Sequence, residues 1–248
     1  GDVQIIRSGS GITHAEKINP DSSIFQIWFD PNLNDTLSKP ASYNDYTAAS
    51  LPVFEDKDDF IQYKTWLKEY SQKYSLKIWA YCLMNNHVHF VCVPLKDDSL
   101  PRTFNTLHMR YSQYFNNKKG AKGHLWQGRF FSCILDERHL YAAMRYVENN
   151  PVRAKIVKSP EEYKWSSARG YVSKDDEPIL NGDCYLKKEI KDWLVFLKEK
   201  DSNQLIEDIR KNSLTGRPCG NDTFIQSIEG ILGRKLKAMT RGRPQKGK

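Results

Sequence analysis

The chain has 248 residues, 27% of them charged and 39% hydrophobic, with a formal net charge of +8. No apolar run approaches the length of a membrane span and no charged-then-apolar leader opens the chain, so the expectation is a soluble cytoplasmic protein. The charge is unevenly spread: residues 1–60 hold four Lys/Arg against ten Asp/Glu, which leaves +14 on residues 61–248, where a polyanion would bind. Five cysteines, Cys82, Cys92, Cys133, Cys184 and Cys219, show no Cys-x-x-Cys spacing, which argues against a zinc ribbon or a disulfide framework.

Taken in order, residues 1–48 form a β-rich fragment, with Val3–Ile6 and Ile24–Phe29 reading as strands around a Gly9-Ser10-Gly11 turn. From Asp56, where Asp56 or Asp58 is the candidate cap, the aromatic residues Phe60, Tyr63, Trp66, Tyr70 and Tyr74 recur with Leu67 at helical spacing. A hydrophobic strand from Leu76 to Leu83 follows, and an Asn85-Asn86 break turns it into a second strand in which His87 and His89 alternate with apolar residues. Side chains at i and i+2 of a strand share a face, so the two imidazoles point the same way and can hold a divalent metal with a third ligand from elsewhere. Taken alone, the pair reads more readily as two hydrogen-bonded histidines on a half-buried strand.

A second helix opens at Ser99 or Pro101, buries Phe104, Leu107, Met109 or Tyr111 and Tyr114-Phe115, and stops at the basic run Lys118-Lys119-Gly120. A strand from about Arg129 to Leu135 comes next, where Trp126 and Phe130 offer faces for a stacked base and Arg129 a contact to phosphate. Asp136-Glu137-Arg138 then starts a helix over Leu140, Ala143, Met144 and Val147, ended by Pro151, with Tyr146 and Asn150 neighbours on one face. Helices are expected near 186–198, 204–211 and 222–232. The tail closes on Arg241-Gly242-Arg243-Pro244, an extended basic segment suited to a narrow minor groove. Lys118, Lys119, Arg153 and Arg217 are further candidates for phosphate contact.

Several motifs together carry a resemblance. N-H-V-H-F, H-L-W-Q-G-R-F, R-Y-V-E-N-N-P-V-R-A, Y-K-W-S-S-A-R, T-G-R-P and F-I-Q-S-I-E-G-I-L-G-R, in this order, resemble the REP-associated tyrosine transposases of the HUH single-strand nuclease superfamily from about residue 53 onward. The resemblance implies an α+β fold built on a ferredoxin-like βαββαβ sheet, over residues 49–175, with a helical DNA-binding extension at 176–248. It places His87 and His89 on the metal ligands, Asn150 on a third metal-contacting position and Tyr146 on the catalytic tyrosine. It further implies Mg²⁺ or Mn²⁺ as cofactor and a single-stranded or hairpin DNA as partner, cut through a 5′-phosphotyrosine, with the oligomeric state left open. Tyr141, on the same helix, is the competing nucleophile.

Two other classes compete: a DNA-binding protein that has lost catalysis, and a metalloprotein or regulator using the N-terminal fragment. The latter rests on G-D-V-Q-I-I-R-S-G-S-G-I-T-H-A-E with F-Q-I-W, which resembles a fragment of pirins, cupin-fold iron proteins, and puts metal ligands at His14 and Glu16. In the transposase family a strand preceding the segment that begins at Leu51 occupies the sheet centre. Here either Ile24–Phe29 fills that place or the sheet is incomplete.

Overall fold

Asp56 accepts hydrogen bonds from the backbone N–H groups of Asp58 and Asp59, and the Asp59 carboxylate accepts in return from the Asp56 N–H. This reciprocal capping box starts helix α1 (Lys57–Lys73), which lays Phe60, Tyr63, Trp66, Leu67 and Tyr70 inward as one stripe. The structure is a computed structural model that describes residues 25–29 (backbone only), 52–126, 130–174, 176–180 and 183–236. Strand β1 (Phe25–Phe29) precedes α1. After it come β2 (Leu76–Leu83), β3 (Val88–Pro94), α2 (Ser99–Lys119) and β4 (Phe131–Leu135). Gly120 ends α2 with φ 60, a left-handed conformation that glycine adopts without steric cost.

The strands lie in the order β2-β3-β1-β4, every neighbouring pair antiparallel. This is the expected ferredoxin-like βαββαβ sheet, and β1 occupies its centre, with Ile27 opposite Val91 on one side and Cys133 on the other. The N-terminal fragment thus supplies the central strand.

Side-chain alternation divides the sheet into two faces. Tyr81, Leu83, Val88, Phe90 and Cys92 pack with α1 and α2, while Ala80, Cys82, Met84, Val91 and Val93 pack on the other side with helix α3 (Glu137–Glu148). In β2 the register shifts between Ile78 and Ala80, and the extra residue sends both Trp79 and Ala80 to the α3 face. His87 and His89 keep step with Val91 and Val93, so period two puts them on that same face.

The remaining helices are α4 (Asn150–Arg153), α5 (Ala168–Val172), α6 (Leu186–Glu189), α7 (Trp193–Lys198), α8 (Asn203–Thr215) and α9 (Asp222–Leu232). Trp193, Phe196, Leu197, Leu205 and Ile209 share one core with α3 and the sheet, so the residues after 175 complete the domain's interior. Arg145 of α3 ties them down through a two-pronged ion pair to Asp201. Both sheet edges are covered: Leu180 and Ser166 bridge to β2, and Cys219 bridges to Leu135 of β4.

Two local expectations need correction, and a third that the sequence left open is decided. Pro151 does not end the helical run but sits in the first turn of α4, where a missing N–H is tolerated. The helix expected at 186–198 is broken in two, because the Asp192 side chain caps a new start by accepting from the Val195 N–H. In α2 Tyr111 faces inward and Met109 is 58% exposed.

Candidate functional site

The turn at Asn85–Asn86 is closed by the Met84 N–H donating to the His87 carbonyl, which launches β3 with both histidines aimed toward α3. Their rings meet edge to face, with centroids 4.7 Å apart. From the other side Asp136 caps α3, accepting from the His139 N–H, and the helix carries Tyr146 to within 5.9 Å of the His89 ring, centroid to centroid and again edge on. Tyr146 is 4% exposed. Asn150, one turn after Tyr146, is also buried. Structure therefore brings together on one face of the sheet the two histidines and the tyrosine that sequence had separated by more than fifty residues.

The electrostatics keep the imidazoles neutral. Burial, helped by the Arg153 cation, lowers the His87 pKa to about 4, and burial with His87 and Arg153 nearby holds His89 well below its ordinary value. The Nδ1 of His87 lies 2.7 Å from the Asn86 Oδ1, an atom that only accepts, so the proton resides on Nδ1. The Nε2 of His87 is then a buried lone pair with no hydrogen-bond partner among the described residues. An orphaned acceptor of this kind is what a ligating histidine presents, and its Nδ1–H is oriented as in metal sites generally. Cys82 stands opposite His89 in the ladder, but burial pushes its thiol up, which leaves it protonated and unfit as a thiolate ligand. Among the described residues no group of three or more His, Cys, Asp or Glu is placed for a metal. Two imidazoles side by side, one with an orphaned lone pair, could hold a divalent ion there.

Two guanidinium groups border Tyr146. Arg153 lies over its ring, Cζ 3.8 Å from the centroid, and Arg210 of α8 comes within 5.8 Å. Tyr141 points elsewhere: its hydroxyl donates to Glu189 and its ring packs on Phe196. Burial and that carboxylate raise the Tyr141 pKa to about 12, which disfavours a phenolate. Glu148, two residues beyond Tyr146, is fully buried and holds the Ser167 hydroxyl and the Trp193 indole N–H. Burial raises its pKa to about 7, against the lowering effect of those two hydrogen bonds.

The candidate nucleic-acid contacts fare unevenly. Trp126 is buried on the opposite face of the sheet, stacked on His108 at 4.1 Å with its N–H donated to the His108 carbonyl, so it is a packing residue and no platform for a base. Lys118 bridges Asp56 and Asp59 at 2.7 Å each, and Lys119 pairs with Glu55; both fasten the end of α2 to the start of α1. Arg153 stands at the tyrosine. Half-buried Arg217 follows α8, its backbone N–H donating to the Asn212 carbonyl. Arg129, Arg241 and Arg243 lie outside the described residues, as do His14 and Glu16. Arg210 was missed because only the docking of α8 on α3 brings it near.

Residues 48–150 match the family model described as "Transposase IS200 like". The matched stretch contains His87, His89, Tyr146 and Asn150 and leaves out β1. No protein with a curated function matches the chain in sequence. A solved structure described as "Structure of the REP associates tyrosine transposase bound to a REP hairpin" is similar at 14% identity and a TM-score of 0.44, covering 71% of this chain and 93% of that one. Nothing among these comparisons supports the pirin resemblance of residues 1–46, and no helix of the described residues is long and apolar enough to cross a membrane.

Proposed function

We propose that the protein, whose residues 48–150 match the model of IS200-like transposases, cuts and rejoins single-stranded DNA, the strand folding as a hairpin, with Tyr146 as nucleophile. The observation that carries this reading is the approach of the Tyr146 ring to His89, 5.9 Å between centroids, on a face shared with His87.

A phosphodiester resists attack because its oxygens are charged. Mg²⁺ or Mn²⁺, bound by His87 and His89 with Asn150 as the third side chain, would polarise a non-bridging oxygen. Tyr146 is delivered from a helix and held nine-tenths buried, so its hydroxyl meets the phosphorus from one direction only. Its Oη forms the new O–P bond as the phenolic proton departs; the bond to the 3′ oxygen breaks, and that oxygen leaves as a 3′-OH. The resulting 5′-phosphotyrosine conserves the bond, so a 3′-OH can reverse the step without ATP. Neutral His87 and His89 do not compete for phosphate as cations, in keeping with a role as lone-pair donors. The +14 on residues 61–248 would draw a strand toward the site.

Incubation with an end-labelled single strand and Mn²⁺ should give a covalent protein–DNA adduct that Tyr146→Phe abolishes while strand binding is retained. Tyr141→Phe should still form it. An adduct that survives Tyr146→Phe, or vanishes with Tyr141→Phe alone, rejects the assignment.

A further inference from the structure

Arg153 grips Tyr146 at both ends. Its Nη1 donates to the Tyr146 carbonyl at 2.7 Å, and its guanidinium plane lies over the Tyr146 ring with Cζ 3.8 Å from the centroid. The geometry follows from the sequence. Residue 153 is seven after 146, almost two helical turns, so if α3 runs on into α4 the two side chains lie about 20° apart around the axis. Long side chains on a helix lean toward its N-terminus, which returns the guanidinium over the turn that carries the tyrosine. The carbonyl it takes lies in the last turn of α3. Arg210, reaching over from α8, brings a second cation to the same ring at 5.8 Å. A lysine in place of Arg153 would keep a charge, but its ammonium has no plane to stack while a second nitrogen holds the carbonyl.

We propose that Arg153 is a positioning residue for the nucleophile: its stack on the Tyr146 ring and its hydrogen bond to the Tyr146 carbonyl fix the phenol's direction toward the histidine pair. This rests on the reading of Tyr146 as nucleophile, but the orientation of the ring is a property of the folded protein and can be followed without any DNA. Each of the two contacts is ordinary helix chemistry; their convergence on one residue, the one facing His89, is what makes the arrangement specific. A misplacement of that hydroxyl by about 1 Å costs on the order of 100-fold in rate.

The test has two arms. In protein labelled with 3-fluorotyrosine, the ¹⁹F resonance that disappears in Tyr146→Phe identifies the ring; Arg153→Ala should shift it and average it toward the solvent value, and Arg153→Lys should do the same. In the second arm, Arg153→Ala should slow adduct formation at saturating strand by about 100-fold while the dissociation constant for the strand changes by less than about twofold, and added guanidinium ion should restore about a tenth of the lost rate. Arg153→Lys should stay close to the alanine variant. Thermal unfolding of each variant separates loss of fold from loss of position. An unmoved fluorine resonance overturns the proposal whether or not the protein proves to be a nuclease, and so does an unchanged rate or a rate loss matched by lost binding. If wild type forms no adduct, the nuclease reading fails and the fluorine arm alone decides the role of Arg153.

Discussion

A buried imidazole whose pKa has fallen to about 4 stays neutral at every ordinary pH, which suits His87 to the lone-pair role proposed for it better than to proton transfer. If that lone pair holds an ion, then titrating Mn²⁺ into the protein should show one site by calorimetry. His87→Ala should remove it together with the adduct, and excess chelator should do the same to wild type. A change at Cys82, on the neighbouring strand, should leave ion binding in place, since its protonated thiol is not a donor of consequence. Adduct formation that persists in chelator would detach the chemistry from the histidine strand. That His87 and His89 share a face was readable from N-H-V-H alone, because alternation fixes it. Which face, and what stands opposite, depended on β2 gaining an extra residue at Trp79 and on α3 crossing that side, neither of which leaves a local mark.

Among the elements, β1 decides whether the site exists. Neighbouring strands sit about 4.8 Å apart, so one strand between β3 and β4 sets a gap of nearly 10 Å between the strand that carries the histidines and the strand that leads into the tyrosine helix. Remove it and the two halves of the site lose their common frame. Protein comprising residues 48–248, the start of the family match onward, should therefore lack cooperative unfolding and form no adduct. Ile27→Pro should mimic it, because proline in a strand paired on both sides deletes a ladder donor and obstructs its neighbour. Wild-type unfolding and adduct formation by the shortened protein would show that β1 is not the central strand. The contrast in legibility is instructive. The start of α1 at Asp56 or Asp58 and the bounds of β2 were legible in the sequence, since capping and apolar runs are local. Whether Ile24–Phe29 entered the sheet was not, because its partners lie some sixty and a hundred residues away. The split between α6 and α7 was hidden as well, because it rests on the Asp192 carboxylate accepting from the Val195 N–H.

For the molecule as a whole, acid should be the weak side. His87, His89 and half-buried His108, the last with a pKa lowered to about 3 by burial, stay neutral when folded and take up protons from about pH 6.5 downward once unfolded. The unfolded chain then binds more protons, so this stability is complete above pH 6.5 and drains away as pH falls toward 3. Glu148 acts in the opposite sense, losing stability as pH rises from 4.5 through about 7. With three groups against one, the urea midpoint of the metal-free protein should drop on acidification below pH 6.5, and His108→Gln should flatten that drop; an identical acid limb would refute it. The covered sheet edges have another consequence, one of timing. The central strand leaves the ribosome about 190 residues ahead of the segment that seals β4, at Cys219. At about 5–20 residues per second that is roughly 10–40 s of synthesis. Throughout it the strand that joins the two halves of the site lacks a finished sheet, and a nascent chain truncated before α3 has no tyrosine beside its histidines. The cutting proposed for this protein would in this way wait until the segment around Cys219 has been made.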